Sequence, residues 1–325
     1  MKKILLVSSS SGGHIYPSLA LKKRLENKYQ ITNLGIKGQM EERLNISNLK
    51  LVDIPNSFKK SFCVFGIIKI IKEFKNINQL IKENDLIICF GGFITFLVVL
   101  INFRRKRIFV HEQNVVLGDS LKYTYPLYDK LLLSFKNDLL KLKKSEYVSN
   151  PTTSCVLKRK DINIRSPKVM FIFGSLSSIT CLEKVKSFLL NTKLNNQFLI
   201  VTSRKYESLF DEFKMKPNIV IKTEIVIKEE LKIYDLVFSR GGASTLLELL
   251  TSGVEICCIP SKNVKNHRQE KNAKYLYNLG LISIINEEDF TLEKIENEIL
   301  NLKKKNTYKS SFSSLDKFME IIENE

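Results

Sequence analysis

The sequence predicts an α/β protein built of two doubly wound halves, each around a parallel sheet. Apolar runs of strand length alternate with longer stretches of helical spacing almost from end to end. The 325 residues exceed the roughly 100–200 of an ordinary domain. The alternation lapses into polar, proline-bearing sequence at 149–167, SNPTTSCVLKRKDINIRSP, and then resumes.

Strands are expected at 3–7 (KILLV), 51–54 (LVDI), 86–90 (LIICF), 107–111 (RIFVH) and 147–148 (YV). Helices are expected at 15–28 and 65–84, where apolar residues recur at three- and four-residue intervals. Beyond the lapse, strands are expected at 168–174, 197–203, 218–223, 235–240 and 255–260, again with helical stretches between them. In such sheets, ligands bind beyond the carboxyl ends of the strands, near the point where strand order reverses. The strand-to-helix loops are therefore where chemistry is sought.

Composition narrows the class. With 44% apolar and 26% charged residues the chain is neither disordered nor fibrous. Six cysteines with no C-x-x-C spacing suggest neither a zinc knuckle nor a disulfide framework, and fit reduced thiols in the cytoplasm. The start, MKKILLV, has an apolar stretch shorter than the roughly 7–15 residues of a signal-peptide core. The longest apolar run, 93–103, falls short of the roughly 20 residues of a membrane-spanning helix. A net charge of +18 suggests an anionic partner, or else only the lysine-heavy surface of a lysine-, isoleucine- and asparagine-rich proteome. No nucleic-acid-binding motif accompanies the charge, so nucleic acid is not expected as a partner.

Several loops carry polar residues where strands end. Residues 8–14 read SSSSGGH: small residues permit close backbone approach to a ligand, and a following helix offers amides and a positive dipole end to an anion. A tight turn with a capping serine is the plainer alternative. His14 adds a group that titrates near neutrality and suits a general base. CFGGFITF (89–96) is a second strand–glycine–helix junction, or simply a turn. His111, Glu112, Gln113 and Asn114 stand in succession at a strand end, costly to bury unless they bind a ligand or one another. In the second half, FGSLSS (173–178) suits a diphosphate at a helix start. SRGGASTLLE (239–248) opens a helix and places Glu248 one turn beyond Ser244. His267, Arg268, Gln269 and Asn272 begin a further helix, so all three histidines fall on strand-to-helix edges.

SSGGHIYPSLA, GGF, HEQN, NP, FGSLSS, SRGGASTLLE, GVEICCIP and QEKNA occur in the order and approximate spacing of the MurG family. The chain resembles this family of UDP-N-acetylglucosamine:N-acetylmuramyl-(pentapeptide) pyrophosphoryl-undecaprenol N-acetylglucosamine transferases, within glycosyltransferase family 28, over nearly its whole length. The resemblance implies a GT-B fold, two Rossmann-like domains facing a cleft. Residues 1–155 would face acceptor and membrane, and 156–307 would bind the donor. A C-terminal helix, about 308–325, would return to the first domain. It implies an inverting transfer of GlcNAc from UDP-GlcNAc to the C4 hydroxyl of MurNAc in lipid I, a polyprenyl-diphosphate-linked acceptor, giving lipid II.

By matching positions, Ser11, Gly12, Gly13 and His14 would line the acceptor diphosphate and the reacting centre. His14 is the candidate base, Glu112 its rival, and Asn114 would contact the sugar. Ser175 and Gly242, Ala243 and Ser244 would face the UDP phosphates, Glu248 the ribose hydroxyls, and Arg268 and Gln269 the GlcNAc hydroxyls. No Asp-x-Asp triplet occurs, so no metal or other cofactor is expected. Residues 57–75 and 102–107 combine aromatic and aliphatic residues with lysines and arginines, as a peripheral contact with an anionic membrane on the cytoplasmic face requires; an ordinary core helix with lysine edges is the alternative. The serines at 9–11 stand where the family usually has Gly-Gly-Thr, Thr153 where it has arginine, and Phe173 and Leu176 where it has Gly and Gln. These departures leave open a related GT-B enzyme with another lipid acceptor or sugar nucleotide, or a non-catalytic homologue.

Overall fold

The computed structural model describes residues 1–57, 63–102, 106–155, 161–174, 178–308 and 314–324. The chain divides into two units, Met1–Ser154 with Phe312–Glu325, and Cys155–Ser311.

The first unit holds β1 (Lys3–Val7), β2 (Gln30–Ile36), β3 (Leu49–Val52), β4 (Leu86–Cys89), β5 (Arg107–Glu112), β6 (Lys130–Leu133) and β7 (Ser145–Tyr147). They form one sheet in the order β3-β2-β1-β4-β5-β6-β7, with every neighbouring pair parallel. Helices α1 (Gly12–Leu25), α2 (Met40–Arg43), α3 (Val64–Glu83), α4 (Phe93–Asn102) and α5 (Asp119–Thr124) connect them. Strand interiors such as ILLV and LIIC are buried completely, as parallel strands covered on both faces require. Leu5, Ile87 and Val110 pack on one face with Ile77 and Ile81 of α3 and Ile94 and Val98 of α4. Ile4, Leu6 and Phe109 pack on the other with Leu21 and Leu25 of α1. That second face also takes Phe318, Ile321 and Ile322 of the C-terminal helix (Ser314–Glu323).

The second unit contains β8 (Val169–Ile172), β9 (Phe198–Val201), β10 (Ile219–Lys222), β11 (Leu236–Ser239), β12 (Glu255–Cys258) and β13 (Ser283–Ile284). Their order is β10-β9-β8-β11-β12-β13, again parallel throughout. Its helices are α6 (Ile179–Asn191), α7 (Ile227–Glu230), α8 (Ala243–Ser252), α9 (Arg268–Asn278) and α10 (Leu292–Leu300), so the C-terminal helix is α11. Its core is aromatic: Phe171 stacks on Phe238 at 4.9 Å between centroids and meets Phe188 and Phe198.

Both predicted helices exist, the first starting at Gly12 rather than residue 15. Three strands, β2, β6 and β13, escape the sequence reading. In β2 (QITNLGI), Asn33 and Gly35 break the apolar run, yet Asn33 is buried because its Nδ2 donates to the Ser47 carbonyl at 2.9 Å. The described part of the run at 93–103, residues 93–102, is a core helix, α4, with seven buried residues of ten. Among the described residues no helix is long and apolar enough to cross a membrane.

Candidate active site

Strand order reverses once in each sheet, between β1 and β4 in the first unit and between β8 and β11 in the second. A parallel sheet opens a crevice at that point, because the connections on either side run to opposite faces. The loops that leave these four strands carry the Ser/Gly and Gly-Gly segments: 8–11, 90–92, 173–178 and 240–242. Of the FGSLSS segment, Ser175, Leu176 and Ser177 lie outside the described residues.

In the first unit the loop after β1 is tightly held. Ser9 is fully buried, Ser10 takes a left-handed backbone with φ 72°, and Ser11 occupies the N-cap of α1. The Ser11 hydroxyl makes no capping bond to the helix and lies 3.3 Å from His14 Nδ1, which is not the capping-serine arrangement. The first turn of α1 carries no acidic side chain either, so the dipole end stays positive for an anion. His14 Nδ1 lies 3.1 Å from the Ser9 carbonyl. A carbonyl only accepts, so this contact places the hydrogen on Nδ1 and the lone pair on Nε2.

The glycines after β4 make room for that imidazole. Gly91 and Gly92 both have positive φ, 97° and 84°. A Cβ on Gly91 would stand 3.0 Å from His14 Nε2, and one on Gly92 would stand 2.7 Å from Ser9 Oγ. The CFGGF junction is therefore more than a turn: it brings the β4 loop against the β1 loop and its histidine.

At the end of β5 the four polar residues bind one another instead of standing in solvent. His111 is fully buried, with Nε2 3.2 Å from the Ser149 carbonyl and 3.1 Å from Ser134 Oγ. The Gln113 amide nitrogen faces its Nδ1 at 3.2 Å, and Phe90 and Phe318 flank the ring. Burial pushes the His111 pKa down to about 4, so the ring is neutral at physiological pH. Glu112 is 3% exposed and accepts from the Asn114 backbone N–H (2.8 Å), the Asn114 side chain (2.9 Å) and the Gly118 N–H (2.6 Å). Gln113 also donates to the Phe90 carbonyl at 2.9 Å, tying this strand end to the β4 loop.

In the second unit Gly242 is the N-cap of α8, without a side-chain cap and with no acidic residue in the first turn. Ala243, Ser244 and Glu248 follow on that helix, with Ser244 and Glu248 one turn apart on one face. Gly241 meets the start of α9 so closely that a Cβ there would lie 2.4 Å from the Gln269 carbonyl oxygen. Buried Asn272 donates to the Gly241 carbonyl at 3.1 Å and closes the same junction. The fold thus joins Arg268 and Gln269 to the loop at 241–244. Gln269 Oε1 accepts from the Ser261 N–H at 3.0 Å, which leaves its amide nitrogen as the donor end. Arg268 Nε is buried with no hydrogen-bond partner among the described residues.

Two bracing residues escaped the sequence reading because their partners are distant in the chain. Arg240 donates to Ser178 Oγ at 2.6 Å, to the Ile259 carbonyl at 3.1 Å and to Glu287 at 2.6 Å, fixing the start of α6 against the end of β11. Glu41, 1% exposed, accepts from the backbone of Ser10 and Ile36. Thr153 is buried, its hydroxyl donating to the Asn150 carbonyl at 2.7 Å.

Comparison with known proteins agrees with this architecture. Residues 4–132 match the family model of the glycosyltransferase family 28 N-terminal domain, and residues 169–324 that of its C-terminal domain. A Prochlorococcus marinus protein (strain AS9601) is 29% identical over 99% of this chain and 93% of its own length. One from strain MIT 9215 is 26% identical over 98% and 96%. Both are named UDP-N-acetylglucosamine--N-acetylmuramyl-(pentapeptide) pyrophosphoryl-undecaprenol N-acetylglucosamine transferase. The crystal structure of Acinetobacter baumannii MurG superposes with a TM-score of 0.82 at 20% identity, covering all of both chains, so the two-unit fold is the GT-B fold. The chain belongs to glycosyltransferase family 28.

Proposed function

We propose that the chain is an inverting glycosyltransferase that moves GlcNAc from UDP-GlcNAc to the C4 hydroxyl of MurNAc in lipid I, yielding lipid II for peptidoglycan synthesis. The observation that carries this reading is full-length similarity to transferases of that name in a chain whose two switch points each present a glycine-bearing, uncapped helix start.

Ser11, Gly12 and Gly13 hold the acceptor diphosphate at the start of α1. His14 Nε2 takes the C4 hydroxyl proton as that oxygen attacks the anomeric carbon, while the Ser9 carbonyl keeps the ring in the required tautomer. The bond from the anomeric carbon to the β-phosphate oxygen breaks, and UDP leaves with its charge stabilised by Ser175, Gly242, Ala243, Ser244 and the α8 dipole, with no metal. Glu248 accepts from the ribose hydroxyls. Arg268, with a buried unpartnered Nε, and the amide of Gln269 hold the GlcNAc hydroxyls. Glu112 is the lesser candidate base, because three N–H donors already engage its carboxylate; it fixes Asn114 instead.

The enzyme works at the cytoplasmic face of the membrane as a peripheral protein. Of α3 only Gly66, Ile77 and Ile81 are buried, while Val64, Phe65, Ile67, Ile68, Ile71 and Phe74 are exposed. Lys69, Lys72 and Lys75 stand among them. Ile77 and Ile81 anchor the C-terminal half of the helix in the core, while the N-terminal half keeps an apolar stripe in solvent among lysines, which supports contact with an anionic bilayer surface. The neighbouring positions 58–62 and 103–105 lie outside the described residues.

Labelled UDP-GlcNAc and a lipid I analogue, incubated with the protein, are expected to give a disaccharide-lipid and UDP. His14→Ala is expected to lower turnover by about 10²- to 10⁴-fold with UDP binding intact. No turnover together with no UDP-GlcNAc binding in calorimetry refutes the reading. Turnover with a different sugar nucleotide or lipid only would move the chain to a sister activity on the same fold.

A further inference from the structure

The geometry points to Glu41 as a positioning residue: its carboxylate clamps the β1 loop to the end of β2, holds Ser10 in its left-handed conformation and so aims Ser11 and His14. The inference rests on the proposed role of that loop in acceptor binding. Glu41 is the second residue of the one-turn helix α2, and it is buried although carboxylates are rarely so. Oε1 accepts from the Ile36 N–H at 2.7 Å, and Oε2 accepts from the Ser10 N–H at 3.1 Å. Each oxygen therefore serves a different segment, one the last residue of β2 and one the loop beside it.

Two features show that the surroundings are shaped for this side chain. Gly35 of β2 gives it room: a Cβ there would lie 2.6 Å from Glu41 Cγ. Ser10 sits at φ 72°, a conformation that costs an L-residue roughly 1–2 kcal/mol and that glycine adopts freely. A charged acceptor on the Ser10 amide offsets that cost, since hydrogen bonds to ionised groups are the strong ones. One residue later Ser11 occupies the N-cap position of α1, and the carbonyl one residue earlier, on Ser9, fixes the His14 ring. Releasing Ser10 would therefore move both ends of the acceptor loop together.

The test pairs a disruption with its rescue. Glu41→Gln keeps size but replaces one acceptor oxygen with an N–H₂ that opposes an N–H donor. It is expected to lower kcat/KM for the lipid acceptor about ten- to hundredfold, with KM for UDP-GlcNAc changed less than about twofold. Adding Ser10→Gly, which makes the left-handed turn without help, is expected to restore most of the loss. Gly35→Ala, which pushes Glu41 aside without altering its charge, should reproduce the defect if the first variant does not fold. Amide hydrogen exchange of residues 8–14 provides a readout independent of turnover: it should quicken in Glu41→Gln and slow again in the double variant. Unchanged exchange at 8–14, or a defect that Ser10→Gly leaves untouched, overturns the inference. A wild-type protein that transfers nothing overturns the functional reading instead, and leaves the exchange result to judge Glu41.

Discussion

Replacing Gly91 with alanine separates the chemical role of His14 from the stability of its loop. At φ 97° an alanine is strained, by roughly 1–2 kcal/mol if the left-handed penalty is taken as the guide. For a unit of this size that corresponds to a fall in Tm of a few degrees. The added methyl would also stand 3.0 Å from His14 Nε2 and 3.2 Å from its Cδ2, inside ordinary contact distance for the atom assigned to proton transfer. The ring must shift by a few tenths of an ångström, which disturbs the 3.1 Å contact of Nδ1 with the Ser9 carbonyl that sets its position and tautomer. Loss of a positioned general base is worth about 10²- to 10⁴-fold in turnover. Gly280→Ala is the control: its φ is also positive, 70°, but its added Cβ meets nothing within 4 Å. The assay is steady-state transfer from UDP-GlcNAc to a lipid I analogue, with calorimetric UDP binding and thermal unfolding on the same samples. Gly91→Ala should lose turnover far beyond Gly280→Ala at a similar Tm, with UDP affinity unchanged. Equal turnover in the two variants would refute the placement of His14 at the reacting centre.

Three further outcomes follow from the same structure. His111 has a folded-state pKa of about 4 against an ordinary 6.5, so its contribution to stability is complete above about pH 6.5 and is lost as pH falls towards 4. The gap is worth up to about 3 kcal/mol, and urea unfolding of His111→Gln should show a correspondingly shallower acid dependence over that range; an unchanged slope refutes the assignment. Glu248→Ala should raise KM for UDP-GlcNAc about ten- to hundredfold while leaving KM for the lipid acceptor in place, and a rise confined to the acceptor would contradict the ribose role. Phe65→Ser with Ile71→Ser removes two side chains that are 80% and 68% exposed, and should cut sedimentation with anionic vesicles more than tenfold; undiminished binding would remove α3 from the membrane contact.

Much of this was legible because the signals are local. KILLV and LIIC are strands in any sheet that covers both faces, and glycine pairs followed by a helical period mark the strand-to-helix turns of the doubly wound pattern. Chemistry marked those turns as candidate loops, and resemblance to the family gave their residues roles. What escaped has a physical reason in each case. β2 is interrupted by Asn33 and Gly35, whose explanations are the carbonyl of Ser47 and the side chain of Glu41. β13 is only two residues long. Sequence assigns Glu41 and Arg240 no role, because the partners that explain them, the Ser10 amide for one and the Ile259 carbonyl and Glu287 for the other, are remote in the chain.

The sequence by itself determined the class of fold, the two-part organisation and the set of loops that carry small and multivalent residues, because periodicity and turn chemistry act over a few residues. Tertiary structure alone decided which of those loops meet. Strand order puts the β1 loop beside the β4 loop, where Gly91 admits His14 and Glu41 steadies Ser10, and it turns His111 and Glu112 inward as braces. Hydrogen bonds and excluded volume between segments far apart in the chain depend on pairing that no local pattern encodes.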